Sequence, residues 1–408
     1  MQFRQFFRLL LLACLPLACA AEASPGATAG LTVVDFTSTN RPLPGATAAE
    51  QEAFATGDAR FSAPFHPADG LGPLYIRAAC NSCHSGNARG PGFVQKMALV
   101  LANSATPTGE VLTWGESVRP LLAGGATTPV NLPASPTLLV TQRLGPGLFG
   151  RGYLEAVSDA EILRNQLEKA QNPDLPHGKL QRVKSELLAE TDPQYNAAVP
   201  GQTGLIGRFG MKAALFSLED AVSRALLLDI GLTSPLRPLE LPNPDHLADD
   251  LKPGVDVALT TVHALVDYMR LLEIPPRSPD HMRGQQLFAE VGCAGCHVPS
   301  LHTRKDYPIA ALADVEAPVY TDFLLHDMGD ALADGVVEGL AGPREWKTAP
   351  LIGLRFYSAY LHDGRATTID GAVRSHASAG SAASAWIGKY AALSADDRAE
   401  LLDFVESL

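Results

Sequence analysis

Two short motifs in this 408-residue chain carry residue types that can attach and ligate a cofactor. The pattern Cys-x-x-Cys-His occurs at 80–84 and again at 293–297. In this pattern, two thioether bonds fix a porphyrin to the chain, and the adjacent histidine reaches the iron as its proximal ligand. The sequence therefore predicts two covalently bound haem c groups. Their attaching and ligating residues would be Cys80, Cys83 and His84 for haem one, and Cys293, Cys296 and His297 for haem two.

Paired cysteines can also hold zinc or form a redox-active disulfide. A single four-cysteine zinc site would have to join pairs that are far apart in the chain, and it would leave the histidine after each pair unexplained. A thioredoxin-like pair would need a βαβ pattern around it, and neither pair has one. Haem attachment therefore explains both motifs better.

The first 23 residues are typical of an export signal. A charged start precedes the apolar run 9–18, which is too short to span a bilayer, and small residues follow it. Export would place the protein in the periplasm. Cys14 and Cys19 lie in segments that loosely resemble a lipoprotein box, so either could carry a lipid anchor; alternatively, both are discarded with the peptide. No later segment is apolar for long enough to predict a transmembrane span.

The charge balance bears on partners. Asp and Glu number 44 against 32 Lys and Arg, which gives a net charge of −12 and no long basic run. This composition argues against nucleic-acid binding. It is compatible with a small basic redox protein as electron donor.

Hydrophobic periodicity and breakers predict a mainly α fold with long loops and two cytochrome c-like haem domains. The division is a signal peptide at 1–23, an N-terminal haem domain with long insertions at 24–275, and a C-terminal cytochrome c-like haem domain at 276–408. Residues 24–60, rich in Gly, Thr and Ala, are predicted to loop over the surface. The predicted helices are near 158–171, 217–229, 255–273 and 284–292, with a last helix capped by Ser394.

The residues before the two motifs suggest a duplication. Leu74 and Tyr75 stand at the same distance before Cys80 as Leu287 and Phe288 stand before Cys293. An aromatic side chain at this distance would pack in the core or against the haem.

Six further segments carry a family resemblance. Three are Glu-Trp-Lys-Thr-Ala-Pro-Leu at 345–351, Tyr-Leu-His-Asp-Gly-Arg at 360–365 and Thr-Ile-Asp-Gly-Ala-Val at 368–373, and they resemble segments of the bacterial di-haem cytochrome c peroxidase and methylamine-utilisation di-haem enzyme superfamily. The other three are Gly-Arg-Phe-Gly-Met-Lys-Ala at 207–213, Asp-Ile-Gly-Leu-Thr at 229–233 and Leu-His-Asp-Met-Gly at 325–329, and they resemble a closer family, the di-haem oxidoreductases, also labelled thiol oxidoreductase. The resemblance covers roughly residues 70–408 and is strongest in the C-terminal part.

The resemblance implies a sixth ligand for haem two. The peroxidases have a methionine after the helix that follows their His-Asp-Gly segment, and this chain has His376 there. Ligation by His297 and His376 would lower the haem potential relative to His/Met ligation. Met328 is the competing candidate. His362, Asp363 and His326 are expected to support the second haem.

Haem one is expected to differ, because no histidine lies between His84 and His177. An open or weakly held sixth position could bind peroxide. Met97 is the nearest soft ligand, and a more distant histidine could also reach the iron. Glu155 is the candidate distal acid.

Other peroxidase features are matched less well. Arg208 or Lys212 could pair with a haem propionate. The peroxidases' Phe-Trp-Asp-Gly-Arg is matched only by Phe-Gly-Arg at 149–151, so the Trp is missing, and Trp114 is the only tryptophan in the first domain that could take its place.

The preferred hypothesis is a peroxidase-like oxidoreductase in which haem two relays electrons to haem one. The alternatives are a non-enzymatic di-haem electron carrier with both irons six-coordinate, and a haem-based sensor or an accessory protein of metal uptake. The occupancy of the sixth position of haem one distinguishes them.

Overall fold

Helices make up most of the regular structure in the computed structural model, which describes residues 38–89, 93–99, 113–131, 138–247, 252–277 and 280–408. The expected signal segment, with Cys14 and Cys19, lies outside the described residues. The helices are α1 (Ala48–Ser62), α2 (Arg151–Ala156), α3 (Asp159–Gln171), α4 (Pro193–Asn196), α5 (Leu218–Ala225), α6 (Leu259–Leu271), α7 (Met282–Val291), α8 (Ile369–Arg374), α9 (Ser384–Ala392) and α10 (Ala395–Ser407). The prediction of a mainly α chain is confirmed.

The described strands form five two-stranded antiparallel sheets. The pairs are β1 (Leu74–Tyr75) with β3 (Leu121–Leu122), β2 (Phe93–Leu99) with β4 (Leu138–Leu144), β5 (Arg182–Lys184) with β6 (Thr203–Ile206), β7 (Leu301–His302) with β8 (Glu316–Ala317), and β9 (Leu325–Asp327) with β10 (Glu345–Lys347). In the last pair, Trp346 stands opposite His326 and Lys347 opposite Leu325.

Serine caps start several of the helices predicted from sequence. The hydroxyl of Ser158 accepts a hydrogen bond from the amide of Glu161 at 3.1 Å, and the hydroxyl of Ser394 accepts one from the amide of Asp397 at 3.1 Å. Each bond satisfies one of the amides that a helix leaves unpaired at its start. The predicted helices α3 and α10 are therefore confirmed, and the predicted cap of α10 by Ser394 is confirmed with it.

Helix α1 contradicts the prediction that residues 24–60 form a surface loop. Thr47 and Glu50 form a capping box at its start, in which Glu50 accepts from the amide of Thr47 at 2.7 Å. Hydrophobic periodicity is weak in this helix, because its buried face consists of Phe54, Gly57 and Phe61, and glycine adds no apolar signal.

Two helix crossings have the same close contact. Helix α1 packs on α6, and a Cβ atom added to Gly57 would lie 2.3 Å from the carbonyl oxygen of Ala264 and 2.5 Å from Cβ of Tyr268. Helix α7 packs on α10, and a Cβ atom added to Gly284 would lie 2.2 Å from the carbonyl oxygen of Glu400. In each pair, a glycine lets a helix that precedes a Cys-x-x-Cys-His motif touch a helix that follows it.

This repeat corrects the duplication inferred from the flanks of the motifs. Leu74 and Tyr75 form strand β1, whereas Leu287 and Phe288 lie in helix α7. The two positions therefore belong to different elements, and α1 is the counterpart of α7. The segment between α1 and Cys80 is longer than the segment between α7 and Cys293. A comparison at equal distances from the two motifs therefore did not reveal this correspondence.

Two apolar clusters hold the larger part of the core. The larger cluster takes residues from both sides of the predicted boundary at 275/276, for example Val262 and Phe323, and the smaller one lies between α7 and α10 around Phe288 and Phe404. The division into two haem domains stays a prediction. No helix in the described part of the chain is long and apolar enough to cross a bilayer.

The glycine contacts predict a stability difference between three identical substitutions. Gly57→Ala and Gly284→Ala should each lower the free energy of unfolding by about 1–3 kcal/mol, because the new methyl group meets backbone rather than a flexible side chain. Gly388→Ala, in α9 with open space around it, is the control and should be neutral or stabilising by up to about 1 kcal/mol. Urea unfolding of the haem-loaded protein, followed by circular dichroism, measures the difference. Equal effects at the three sites would contradict the close crossings.

Candidate haem sites

A cavity of about 310 Å³ lies against the second Cys-x-x-Cys-His motif. Its wall includes Cys293, Cys296 and His297 from the motif, and both candidate sixth ligands, His376 and Met328. Much of the remaining wall is apolar, which suits a porphyrin. Apolar wall residues include Phe288, Val291, Leu351, Leu354, Val373 and Val405.

Two imidazoles in this wall are oriented as metal ligands usually are. Nδ1 of His297 lies 3.1 Å from the carbonyl oxygen of Tyr320, and Nδ1 of His376 lies 2.8 Å from the carbonyl oxygen of Ala372. A carbonyl can only accept, so Nδ1 must carry the proton in each ring and Nε2 keeps its lone pair. Burial, followed by the proximity of His376, lowers the pKa of His297 to about 4, which favours the neutral ring that an iron needs. The residues present therefore fit a haem iron.

The competing candidate, Met328, follows strand β9 and is half-buried in the same wall. Its amide donates to the carbonyl oxygen of Arg344 at 3.0 Å. Both candidates thus lie in one cavity with His297, and which of them ligates iron stays a prediction.

The segments that resemble the di-haem oxidoreductases converge on this cavity. Five of the six segments contribute to the wall, although they are spread between residues 207 and 373 of the chain. His362 and Asp363, which were expected to support the second haem, make different contacts. His362 lines the cavity and stacks on Trp346 with ring centroids 4.0 Å apart, whereas Asp363 pairs with Arg365.

His326 lines the cavity in a buried charged network. Its Nε2 lies 2.8 Å from a carboxylate oxygen of Asp322, which also accepts from Nζ of Lys169 at 2.6 Å. Cys296, Asp322 and His326 bring their donor atoms within 4.8 Å of one another. Only one of the four motif cysteines takes part in this group, so it does not form the four-cysteine zinc site considered above.

The first motif repeats the local geometry of the second. The amide of His84 bonds to the carbonyl oxygen of Cys80 at 3.0 Å, as the amide of His297 does to that of Cys293 at 2.9 Å. Nδ1 of His84 lies 2.9 Å from the carbonyl oxygen of Pro146, and burial lowers the pKa of this imidazole to about 4. The same tautomer argument leaves Nε2 of His84 available to an iron.

Gly145 lets the chain approach this ring. A Cβ atom on Gly145 would lie 2.9 Å from Cε1 of His84. The next two residues, Pro146 and Gly147, also line the cavity beside haem site two. One short segment therefore touches the proximal histidine of site one and the wall of site two.

Three histidines that could have reached haem one from elsewhere are placed as follows. His66 is exposed, Nε2 of His177 lies 3.1 Å from the carbonyl oxygen of Asn172, and Nε2 of His263 lies 2.9 Å from a carboxylate oxygen of Glu219. Met97 belongs to β2, and its side chain is outside the described part of the chain. The sixth position of haem one stays a prediction.

The candidate distal acid, Glu155, lies in a buried ion pair. Its carboxylate accepts from Nε of Arg270 at 2.7 Å, from the hydroxyl of Tyr307 at 3.0 Å and from the amide of Leu218 at 2.8 Å. Burial raises the pKa of Glu155, but Arg270 and these hydrogen bonds outweigh burial and hold the pKa below its usual value. These contacts are those of an ionised carboxylate in a buried ion pair, and the role of Glu155 as the distal acid of haem one stays a prediction.

The expected propionate partners are also held elsewhere. Arg208 pairs with Asp159 and donates to backbone carbonyls, and it is absent from the cavity wall. Lys212 is fully buried, with Nζ 2.7 Å from the carbonyl oxygen of Val336 and 3.0 Å from a carboxylate oxygen of Asp334.

Sequence reasoning missed several cations in the cavity wall. Arg89, Arg151 and Lys347 line the cavity, and Lys347 and Arg151 are each 8% exposed. Two signals were available, because Arg151 is the arginine of the Phe-Gly-Arg match and Lys347 lies in the resembling segment 345–351. Trp346 also lines the cavity, whereas Trp114 stacks edge-on against His246 outside it.

Comparison with known proteins identifies the family. Residues 135–408 match the family described as "Di-haem oxidoreductase, putative peroxidase", and the chain belongs to this family. The predicted resemblance is thereby confirmed, and the chain is a haem protein with a redox role. No curated protein matches the chain. A Kuenenia stuttgartiensis hydrazine synthase structure, pressurized with 20 bar xenon, is similar at 15% identity, over 98% of this chain and 100% of that chain, with a TM-score of 0.38 that is too low to carry any argument.

The contacts of Glu155 predict the effect of removing its charge. Glu155→Gln should lower the free energy of unfolding by about 3–5 kcal/mol, because Arg270 is left buried without a counter-ion. Glu168→Gln, in the exposed pair with Arg164, is the control and should cost less than about 0.5 kcal/mol. Urea unfolding and peroxide consumption are measured on both variants. Unchanged stability with lost peroxide reactivity would restore Glu155 as the distal acid.

Proposed function

We propose that this chain is an exported c-type di-haem oxidoreductase that reduces peroxide in the periplasm. Haem one would be attached through Cys80 and Cys83, and haem two through Cys293 and Cys296. A reduced small redox protein would supply the electrons, and solvent would supply the protons that convert peroxide to water. Membership of the di-haem oxidoreductase family supports the reaction class.

The observation that best supports this proposal is the difference between the two sites. His297 and His376 both line the cavity of site two with Nδ1 held by a carbonyl, so two imidazoles can hold one iron. His84 has the same anchor, with Nδ1 2.9 Å from the carbonyl oxygen of Pro146, and the sequence has no histidine between His84 and His177 to supply a second imidazole soon after the motif. When bound, haem supplies one-electron transfer, and an iron with an open sixth position supplies a place for peroxide.

The histidine side chains would give the two sites different roles. His297 and His376 would keep water and peroxide from site two, which suits a relay. His84 would hold haem one from one side only, through a ring that Pro146 and Gly145 fix in place. The direction of electron flow is therefore from site two to site one.

Two substitutions test the sixth ligand of site two. His376→Ala should abolish the low-spin ferric signal of haem two in electron paramagnetic resonance spectra, because the second imidazole is lost. Met328→Ala changes the other candidate in the same wall and should leave that signal in place. The reverse pattern would assign the ligand to Met328.

The reaction itself is tested with the half-reduced protein. Hydrogen peroxide should reoxidise it, and should be consumed steadily when a reduced small c-type cytochrome is present. The double variant Cys80→Ser/Cys83→Ser should still accept an electron at site two but should not react with peroxide. A wild-type protein that peroxide leaves unchanged in both oxidation states would instead be an electron carrier.

A further inference from the structure

The cavity wall holds three cationic side chains that have no carboxylate partner among the described residues. Among the described residues, Nζ of Lys347 donates only to the carbonyl oxygen of Thr348, at 3.3 Å. Arg151 donates from Nε to the carbonyl oxygen of Gly147 at 2.7 Å, and Arg89 donates to that of Leu361. No carboxylate among the described residues lies within ion-pair distance of these three side chains.

The carboxylate charges that act on Lys347 and Arg89 come from Asp322 and Asp363, and both carboxylates have other partners. Asp322 accepts from Lys169 and His326, and Asp363 is paired with Arg365. A buried charge without a counter-ion is unfavourable, so a folded chain that keeps several of them together usually binds an anion there. Burial, with the charge of Arg151 second, lowers the pKa of Lys347 to about 7, as expected for an ammonium that still lacks its counter-ion.

Further donors point to the same conclusion. The hydroxyl of Thr348 and Nε of Arg89 are buried without a hydrogen-bond partner, and both residues line the cavity. Unsatisfied buried donors beside unpaired cations form a recognition site for an acceptor that carries negative charge. A carboxylate group has this chemistry.

We propose that Arg89, Arg151, Lys347 and Thr348 form a carboxylate-binding site, and that its ligand is a haem propionate. This inference rests on the proposed function, because it requires a haem in the cavity. The apolar wall and His297 would hold the porphyrin, and this cluster would hold its acidic edge. Arg208 and Lys212, which sequence reasoning suggested for this purpose, have their charges satisfied within the protein.

The position of the cluster also links it to the proximal histidine of haem one. The carbonyl of Pro146 accepts from His84, and the next carbonyl, of Gly147, accepts from Arg151. The propionate site is thus joined to the proximal ligand of haem one by one peptide unit. Charge in this site should therefore influence both haems.

Potentiometric titration of the haem-loaded protein, followed optically and without peroxide, tests the proposal. A cation beside a propionate favours the reduced haem, because reduction adds negative charge. Lys347→Met and Arg151→Gln should each shift at least one midpoint potential to a more negative value. Lys347→Arg keeps the charge and should retain the wild-type potentials. Lys389→Met removes an exposed lysine of α9 and is the control that should cause little shift.

Haem content and circular dichroism establish that each variant is folded and loaded with haem. If Lys347→Met does not fold or does not bind haem, Arg151→Gln alone is used for the test. Wild-type potentials in both variants would overturn the proposal. Acetate provides the second arm. If acetate changes the potentials of the wild type but not those of Lys347→Met, the site takes a free carboxylate and the propionate assignment is wrong. Because no peroxide is used, these outcomes do not depend on whether the protein is a peroxidase.

Discussion

A hydrogen bond from Nδ1 of a histidine to a backbone carbonyl is the interaction on which the account of both sites depends. It occurs at His84, His297 and His376, with distances of 2.8 to 3.1 Å. Each bond fixes the tautomer and the rotation of the ring, so that the unprotonated Nε2 is available to a metal. A free imidazole would lose side-chain entropy on ligation, and part of that loss has already occurred in these rings.

The carbonyls must themselves be held, and this links the sites to the fold. Ala372 lies within helix α8, one turn before His376, so the helix supplies that acceptor directly. Pro146 belongs to the segment before α2, which is fixed by the bond from the amide of Leu148 to the carbonyl oxygen of Asn87. The crossings of α1 on α6 and of α7 on α10 then set the frames in which the two Cys-x-x-Cys-His turns sit.

The sequence revealed those features that chemistry places at fixed spacing. Haem attachment requires cysteine and histidine in one order, so both motifs could be found without a structure, and the capping serine Ser394 marked the start of α10. Long-range contacts left no such signal. Arg89, Arg151 and Lys347 meet in one wall from three distant parts of the chain, and nothing in the sequence places Arg270 beside Glu155. His376 was predicted as an iron ligand only from the family resemblance, because that role depends on the cavity that it shares with His297.

We propose that one haem is held by two imidazoles and the other by one. Electron paramagnetic resonance of the oxidised, haem-loaded protein tests this difference. We expect a high-spin ferric signal from haem one together with a low-spin bis-histidine signal from haem two. Two low-spin signals, both unchanged by peroxide in the oxidised and the half-reduced protein, would contradict it and leave a di-haem electron carrier.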